Sequence, residues 1–237
     1  MEISVKADIK AATRHLNRIQ RKQIPYATSR ALNDSAYDAM LHSRQMAKRL
    51  LHKPIGYTVK GIRIPRKAQR ATKRRLHTKV FINEWPDKGT PQAKYLKAQI
   101  KGGTRQMKGS EKAFRRAGIL PAGKFLAPTP RFQNAAGNIK PGVMQMIMSQ
   151  LHAFTEQGYT ANATNKTLAK KNTRFFLIPG TGIFTRGRGG LQAVLLFIDQ
   201  PNYRVRFPFQ RIVQKKVKRV FRRNFNRRLS AALRTAK

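Results

Sequence analysis

Leu191-Gln192-Ala193-Val194-Leu195-Leu196-Phe197-Ile198 is the stretch on which the fold turns, because two other kinds of order follow it directly. Its length and its β-branched and aromatic content predict a strand covered on both faces, and Asp199-Gln200-Pro201-Asn202 ends it with turn-forming residues. Tyr203-Arg204-Val205-Arg206-Phe207 then alternates apolar and basic side chains, which predicts a short strand with one face on a core and the other charged. Pro208 suits the first turn of a helix, where no N–H is needed, and beyond it Val213, Val217, Val220, Phe221, Phe225, Leu229 and Leu233 recur at helical spacing. Arg211, Lys215, Lys216, Lys218, Arg219, Arg222, Arg223, Arg227 and Arg228 lie between and opposite them. Steps of four residues advance about 400°, so this apolar stripe drifts by roughly 40° per step. The expectation is a helix whose first half packs on the chain's own sheet while Phe225, Leu229 and Leu233 turn to a neighbouring subunit. The competing expectation is a helix that bends around one core.

Working outward, the charge is the unusual feature. The 237 residues carry 51 Lys and Arg against 9 Asp and Glu, a formal net charge of +42. Self-repulsion on that scale asks for a polyanionic partner. A hydrophobic fraction of 40% is enough to build a core, and the chain reads as one domain, 1–237, with basic arms near 66–75 and 155–171. No apolar run is long enough to span a bilayer, and Met1-Glu2-Ile3-Ser4-Val5-Lys6 has no apolar signal region, so no membrane partner and synthesis in a cytoplasm are expected. With no cysteine, disulfides and thiolate metal sites are excluded.

In chain order, residues 2–7 alternate as an edge strand, and Asp8 is placed to cap a helix bearing Ile9, Ala12, Leu16 and Ile19. Pro25 is expected to break that helix and open a longer one from Tyr26 to about Leu51, with Asp34 and Asp38 one turn apart and Arg30 four residues before Asp34 as an ion-pair partner. Residues 57–64 read as extended, 66–75 as a basic loop or arm, and Leu76 to Ile82 as an alternating strand, with Trp85 in the turn after it. A helix over 91–100 stops at Gly102-Gly103, and Gly102-Gly103-Thr104-Arg105 with Lys108 has the glycines and cations of a phosphate-cradling turn without a complete nucleotide-binding spacing. Ser110 is the expected cap of a helix over 111–117, residues 124–140 read as loop, and Val143, Ile147, Leu151 and Phe154 mark a helix surrounded by Met144, Met146 and Met148. Residues 155–171 read as a polar loop. Residues 174–178 and 181–185 read as strands around Pro179-Gly180, joined to Leu191 by the basic tip that contains Arg186 and Arg188.

The fold class expected from these elements is α+β: a mostly antiparallel sheet from 57–64, 76–82, 174–185, 191–198 and 203–207, packed by N-terminal helices and a long basic C-terminal helix. Enzyme chemistry has little support. The five histidines have no metal-ligand spacing, no Gly-x-Ser-x-Gly elbow occurs, and the acids form no two-metal cluster, so no catalytic residue, metal or cofactor is assigned. The enzyme class, a nuclease or other, predicts activity lost on changing Asp34 or Asp38 with assembly intact.

Several short motifs together carry a family resemblance. Ala31-Leu32-Asn33-Asp34, Ala93-Lys94-Tyr95-Leu96 followed by Ile100-Lys101-Gly102-Gly103-Thr104-Arg105, Glu111 with Gly118-Ile119-Leu120-Pro121, Gly137-Asn138, and Tyr203 to Phe209 make the chain resemble the tailed-phage minor tail protein Z family and related tail-completion proteins. The resemblance spans nearly the whole chain. It implies a structural virion protein of a tailed bacteriophage, found in the tail or neck and made in the host cytoplasm. Its implied role is to complete the tail at the head–tail junction as a ring of copies, beside other neck and tail proteins and the end of the double-stranded DNA genome. Relative to the family this chain is long, with 66–75 and 155–171 as additions. The competing class is a free, sequence-independent nucleic-acid-binding protein. The candidate DNA-contacting residues are Arg66, Lys67, Arg70, Lys73, Arg74, Arg75, Arg105, Lys108, Arg186, Arg188, Lys215, Lys218, Arg219, Arg222 and Arg223, and the candidate subunit contacts are Phe225, Leu229 and Leu233.

Overall fold

The computed structural model describes residues 2–6, 18–87, 89–154, 174–187 and 189–235. The architecture is α+β, and the chain divides into two compact units, Met1–Gly102 with Arg204–Lys237, and Gly103–Tyr203. Each has its own core.

The first unit is built on two long helices, α1 (Arg18–Leu50) and α6 (Phe209–Arg234). A three-stranded antiparallel sheet lies with them, in the order β1 (Glu2–Lys6), β3 (His77–Ile82), β2 (Ile62–Arg63). Its core joins Ala36, Ala39, Met40 and Ala47 of α1 to Val80 and Ile82 of β3, to Leu96 and Ile100 of α3 (Gln92–Lys101), and to Phe209, Val213 and Val217 of α6. The alternation in β3 holds, with Thr78, Val80 and Ile82 buried.

Pro25 does not break the first helix, contrary to expectation, and α1 runs through it. A proline in this position removes one intrahelical bond, and the buried face from Ala27 to Ala47 downstream holds the helix in spite of that loss. The expected cap at Asp8 and the first apolar positions, Ile9 to Leu16, lie outside the described residues. Residues 57–59 are not extended: α2 (Gly56–Lys60) is a single helical turn that buries Thr58 and Val59. The backbone at Gly61 passes so close to Gln92 that a Cβ there would meet its side chain.

The second unit carries a four-stranded antiparallel sheet in the order β5 (Phe125–Pro128), β8 (Gly190–Ile198), β7 (Gly182–Gly187), β6 (Phe175–Ile178). The 191–198 strand is therefore interior to its sheet, but it is not covered along both faces as expected: Val194 and Leu195 are buried, while Leu191 and Leu196 are exposed. Gly182, at φ 156°, brings β7 against the Leu195 carbonyl where a side chain would not fit. Among the described residues the helices of this unit are α4 (Gly109–Arg116) and α5 (Pro141–Gln150), and Phe114, Ile147, Ile183, Val194 and Leu195 belong to its core. Burying a side chain such as Phe114 contributes about 1.5–3 kcal/mol. The three methionines around α5 are partly buried packing residues of the same core.

Three expectations for this region are corrected. Among the described residues the strands form three sheets rather than one, the third being a two-residue ladder of β4 (Gly103–Thr104) with β9 (Asn202–Tyr203). Residues 204–207 are not a strand, because the Arg206 and Phe207 N–H groups both donate to the Gln99 carbonyl, at 3.0 and 2.9 Å, so Phe207 is buried while Val205 is left 51% exposed. Residues 125–128, expected as loop, are β5, and its partners on β8 run from Ile198 to Leu195. The 155–171 segment lies outside the described residues.

Candidate nucleic-acid interface

In α6 the inward positions are Val213, Val217, Val220, Asn224 and Ala232. Apolar residues at four-residue steps suggested a stripe that winds away, but the buried face follows steps of four and three and becomes polar at Asn224. Its partners explain why. Asn224 donates to Ser35 Oγ and Asp38 Oδ2, both at 3.1 Å, and Arg228 grips Asp34 through Nε at 2.6 Å and Nη2 at 2.9 Å. Arg227 reaches the same carboxylate at 3.1 Å, and Arg223 stands 3.9 Å from Asp38. Because Asp38 meets residue 224 and Asp34 meets residue 228, the two helices run antiparallel.

Asp34 and Asp38 are thus engaged by α6, and Asp34 is not paired with Arg30, whose guanidinium stands 5.9 Å from the centre of the Tyr26 ring. Burial alone would raise the Asp34 pKa, but Arg228 and Arg227 outweigh it and hold the carboxyl below its ordinary range. His42 is pushed the other way from a cationic switch: burial first, then Lys216, Arg219 and Arg49, lower its pKa.

With the acids committed to the seam, the outer face of α6 is left to cations. Arg211, Lys215, Lys218 and Arg222 are exposed at steps of four, three and four, one row about 16 Å long at 1.5 Å per residue, with exposed Arg219 and Arg223 beside it. Phe225 and Leu229 are half-buried and Leu233 is 46% exposed.

The 66–75 run is a folded loop rather than a loose arm. A 3-10 turn over Lys67–Gln69 starts it, Arg70 Nε donates to the Pro65 carbonyl at 3.0 Å, and Arg75 Nη2 donates to the carbonyls of Ala68 and Arg70 at 3.0 and 2.9 Å. Two of its six cations therefore hold the loop, while Arg66, Lys67, Lys73 and Arg74 are exposed.

In the second unit, the candidate phosphate turn is differently used. Arg105 makes a two-pronged pair with Glu111, Nη1 to Oε2 at 2.7 Å and Nη2 to Oε1 at 2.5 Å, and its guanidinium lies 4.8 Å from the centre of the Phe125 ring. Glu111 is fully buried and also accepts the N–H groups of Lys108 at 2.6 Å and Leu126 at 3.0 Å. This carboxylate, not Ser110, closes the start of α4 by reaching back to residue 108. Burial would raise its pKa, but Arg105 and the two backbone donors bring it below the ordinary glutamate value. Gly103 is spent on the ladder with Tyr203. Lys108 and Arg186 are exposed, and Arg188 lies outside the described residues.

Sequence reading missed Glu111 as the organising acid and the partners of Asp34 and Asp38. The one available signal was the scarcity of acids, which makes each one in a helical stretch a candidate anchor. Among the described residues no group of three or more His, Asp or Glu is placed to hold a metal ion, and no helix is long and apolar enough to cross a membrane. Compared with protein-family models, with curated proteins and with solved structures, the chain matches none.

Proposed function

We propose that this chain is a structural, nucleic-acid-contacting protein of a tailed-phage particle, completing the tail at the head–tail junction and touching the end of the double-stranded genome. The observation that carries the nucleic-acid part is the cation row on the outer face of α6, Arg211, Lys215, Lys218 and Arg222, exposed while the acids of the same seam face inward. Such a row meets phosphates without reading bases, so binding is independent of sequence and limited by counterion release. The tail-completion part rests on the motif resemblance, and with it comes assembly of copies into a ring whose contacts include Phe225, Leu229 and Leu233.

Two experiments test the two parts. Duplex binding measured against salt should give a log–log slope of about −0.9 per phosphate neutralised, shallower when Lys215, Lys218, Arg219 and Arg222 are all changed to Gln. A flat salt dependence overturns the nucleic-acid part. Co-sedimentation with purified virions at fixed stoichiometry supports the tail assignment; binding without co-sedimentation leaves the free nucleic-acid-binding protein in its place.

A further inference from the structure

We propose that the outer face of α1 beside the 66–75 loop is a site for unpaired nucleotides, distinct in ligand class from the duplex-phosphate row on α6 and resting on the reading that the chain binds nucleic acid. Tyr26, Arg30, Asn33 and Tyr37 follow one another at steps of four, three and four, so they share one face of the helix. Asn33 fixes the loop on that face through a reciprocal pair: its Nδ2 donates to the Ala71 carbonyl at 2.9 Å, and the Ala71 N–H donates to its Oδ1 at 3.0 Å. The loop then delivers Lys73, whose Nζ stands 5.3 Å from the centre of the Tyr26 ring, with Arg30 at 5.9 Å. Tyr26 and Tyr37 are 38% and 50% exposed, and Arg66, Lys67 and Arg74 stand exposed on the same loop.

Exposed aromatic rings interleaved with cations are the chemistry of a single-strand platform: at Tyr26 an incoming base takes the place of the Lys73 ammonium over the ring, and that ammonium meets a phosphate. In a duplex the base faces are covered by their neighbours, so the rings gain nothing from it. The α6 row offers the converse surface, because the aromatic residue within it, Phe221, is half-buried and stacked at 6.1 Å on Phe225. A second copy of the chain is a poor occupant for the tyrosine face. It would bring its own positive surface, drawn from a net charge of +42, against these cations.

The test uses the full chain and two labelled probes of about sixteen nucleotides, a thymidine single strand and a mixed-sequence duplex, read by fluorescence anisotropy at matched salt. The double variant Tyr26→Leu with Tyr37→Leu should lose about tenfold or more in affinity for the single strand and keep its duplex affinity. The double Phe variant, which keeps the rings, should retain both. Equal losses on the two probes, no loss on either, or a change in sedimentation without loss of single-strand affinity overturns the site. Failure of the unmodified chain to bind either probe would instead remove the nucleic-acid reading itself. Circular dichroism on each variant separates loss of binding from loss of fold.

Discussion

The two units use their scarce acids in opposite ways. In the second unit Glu111 is fully buried and takes four hydrogen bonds, two from Arg105 and two from the backbone at Lys108 and Leu126. In the first unit Asp34 and Asp38 keep side-chain exposures of 24% and 33%, and the arginines that meet them are 36% to 73% exposed. Both arrangements pair carboxylates with arginines, but their energetics differ. A buried pair that loses one partner leaves an uncompensated charge in the interior, whereas a wet pair is replaced by water and counterions.

The largest effect expected from that contrast is at Glu111. Glu111→Gln removes the charge that Arg105 faces and should cost about 3–5 kcal/mol, the range for breaking a buried pair. Hydrogen exchange should show amides of residues 109–128 losing protection while those of α1 and α6 keep theirs. A uniform loss through both units would show instead that the two unfold together.

Acid separates the units in the same order. The Glu111 pKa in the folded chain lies below its ordinary value of 4.5, so its contribution is fully present above that value and is lost as pH falls through the folded pKa. Asp34 has the same sign from its ordinary value of 3.8, with solvent reducing the size of the effect. Followed by exchange or by separate probes, the second unit should soften first as pH falls below 4.5. Next in size is Asp34→Asn, which should cost no more than about 1 kcal/mol in a thermal or denaturant melt and less at high salt. A cost as large as that at Glu111 would mean the seam is drier than its exposures indicate.

Much of the fold was legible in the sequence where one signal dominated. The composition of the 191–198 run, the alternation from His77 to Ile82 and the helical spacing after Pro208 were each local signals. The errors came where tertiary partners outvoted local cues. Pro25 is carried inside a helix by the buried face downstream of it, and Val205 is turned out because its neighbours hydrogen-bond to the end of α3 rather than to a strand. The candidate interface was half legible. Charge pointed to α6 and to 66–75, but only the fold tells which cations face solvent: Arg105, Arg70 and Arg75 are consumed internally and Lys73 lies over the Tyr26 ring, while Arg66, Lys67 and Arg74 are exposed. The roles of Asn224 and Arg228 could not be read from a stripe of apolar residues, because the helix exchanges apolar for polar contact midway along one continuous face.

The smallest effect expected is also the one with the opposite sign. Lys215, Lys218 and Arg222 lie on the same helix as Arg228, yet they face solvent rather than Asp34. Lys215 and Lys218, and Lys218 and Arg222, are like charges three and four residues apart, a spacing that costs a helix about 0.2–0.5 kcal/mol per pair. Changing all three to Gln should therefore leave the melt unchanged or raise it slightly in low salt. The gain should disappear near 1 M salt, where the screening length shrinks to about 3 Å. Arg228→Gln, by contrast, should lower the melt at every salt concentration, because the Asp34 carboxylate then loses its two-pronged partner. If the triple variant lowered the melt as Arg228→Gln does, these cations would belong to the fold and not to a ligand-facing surface.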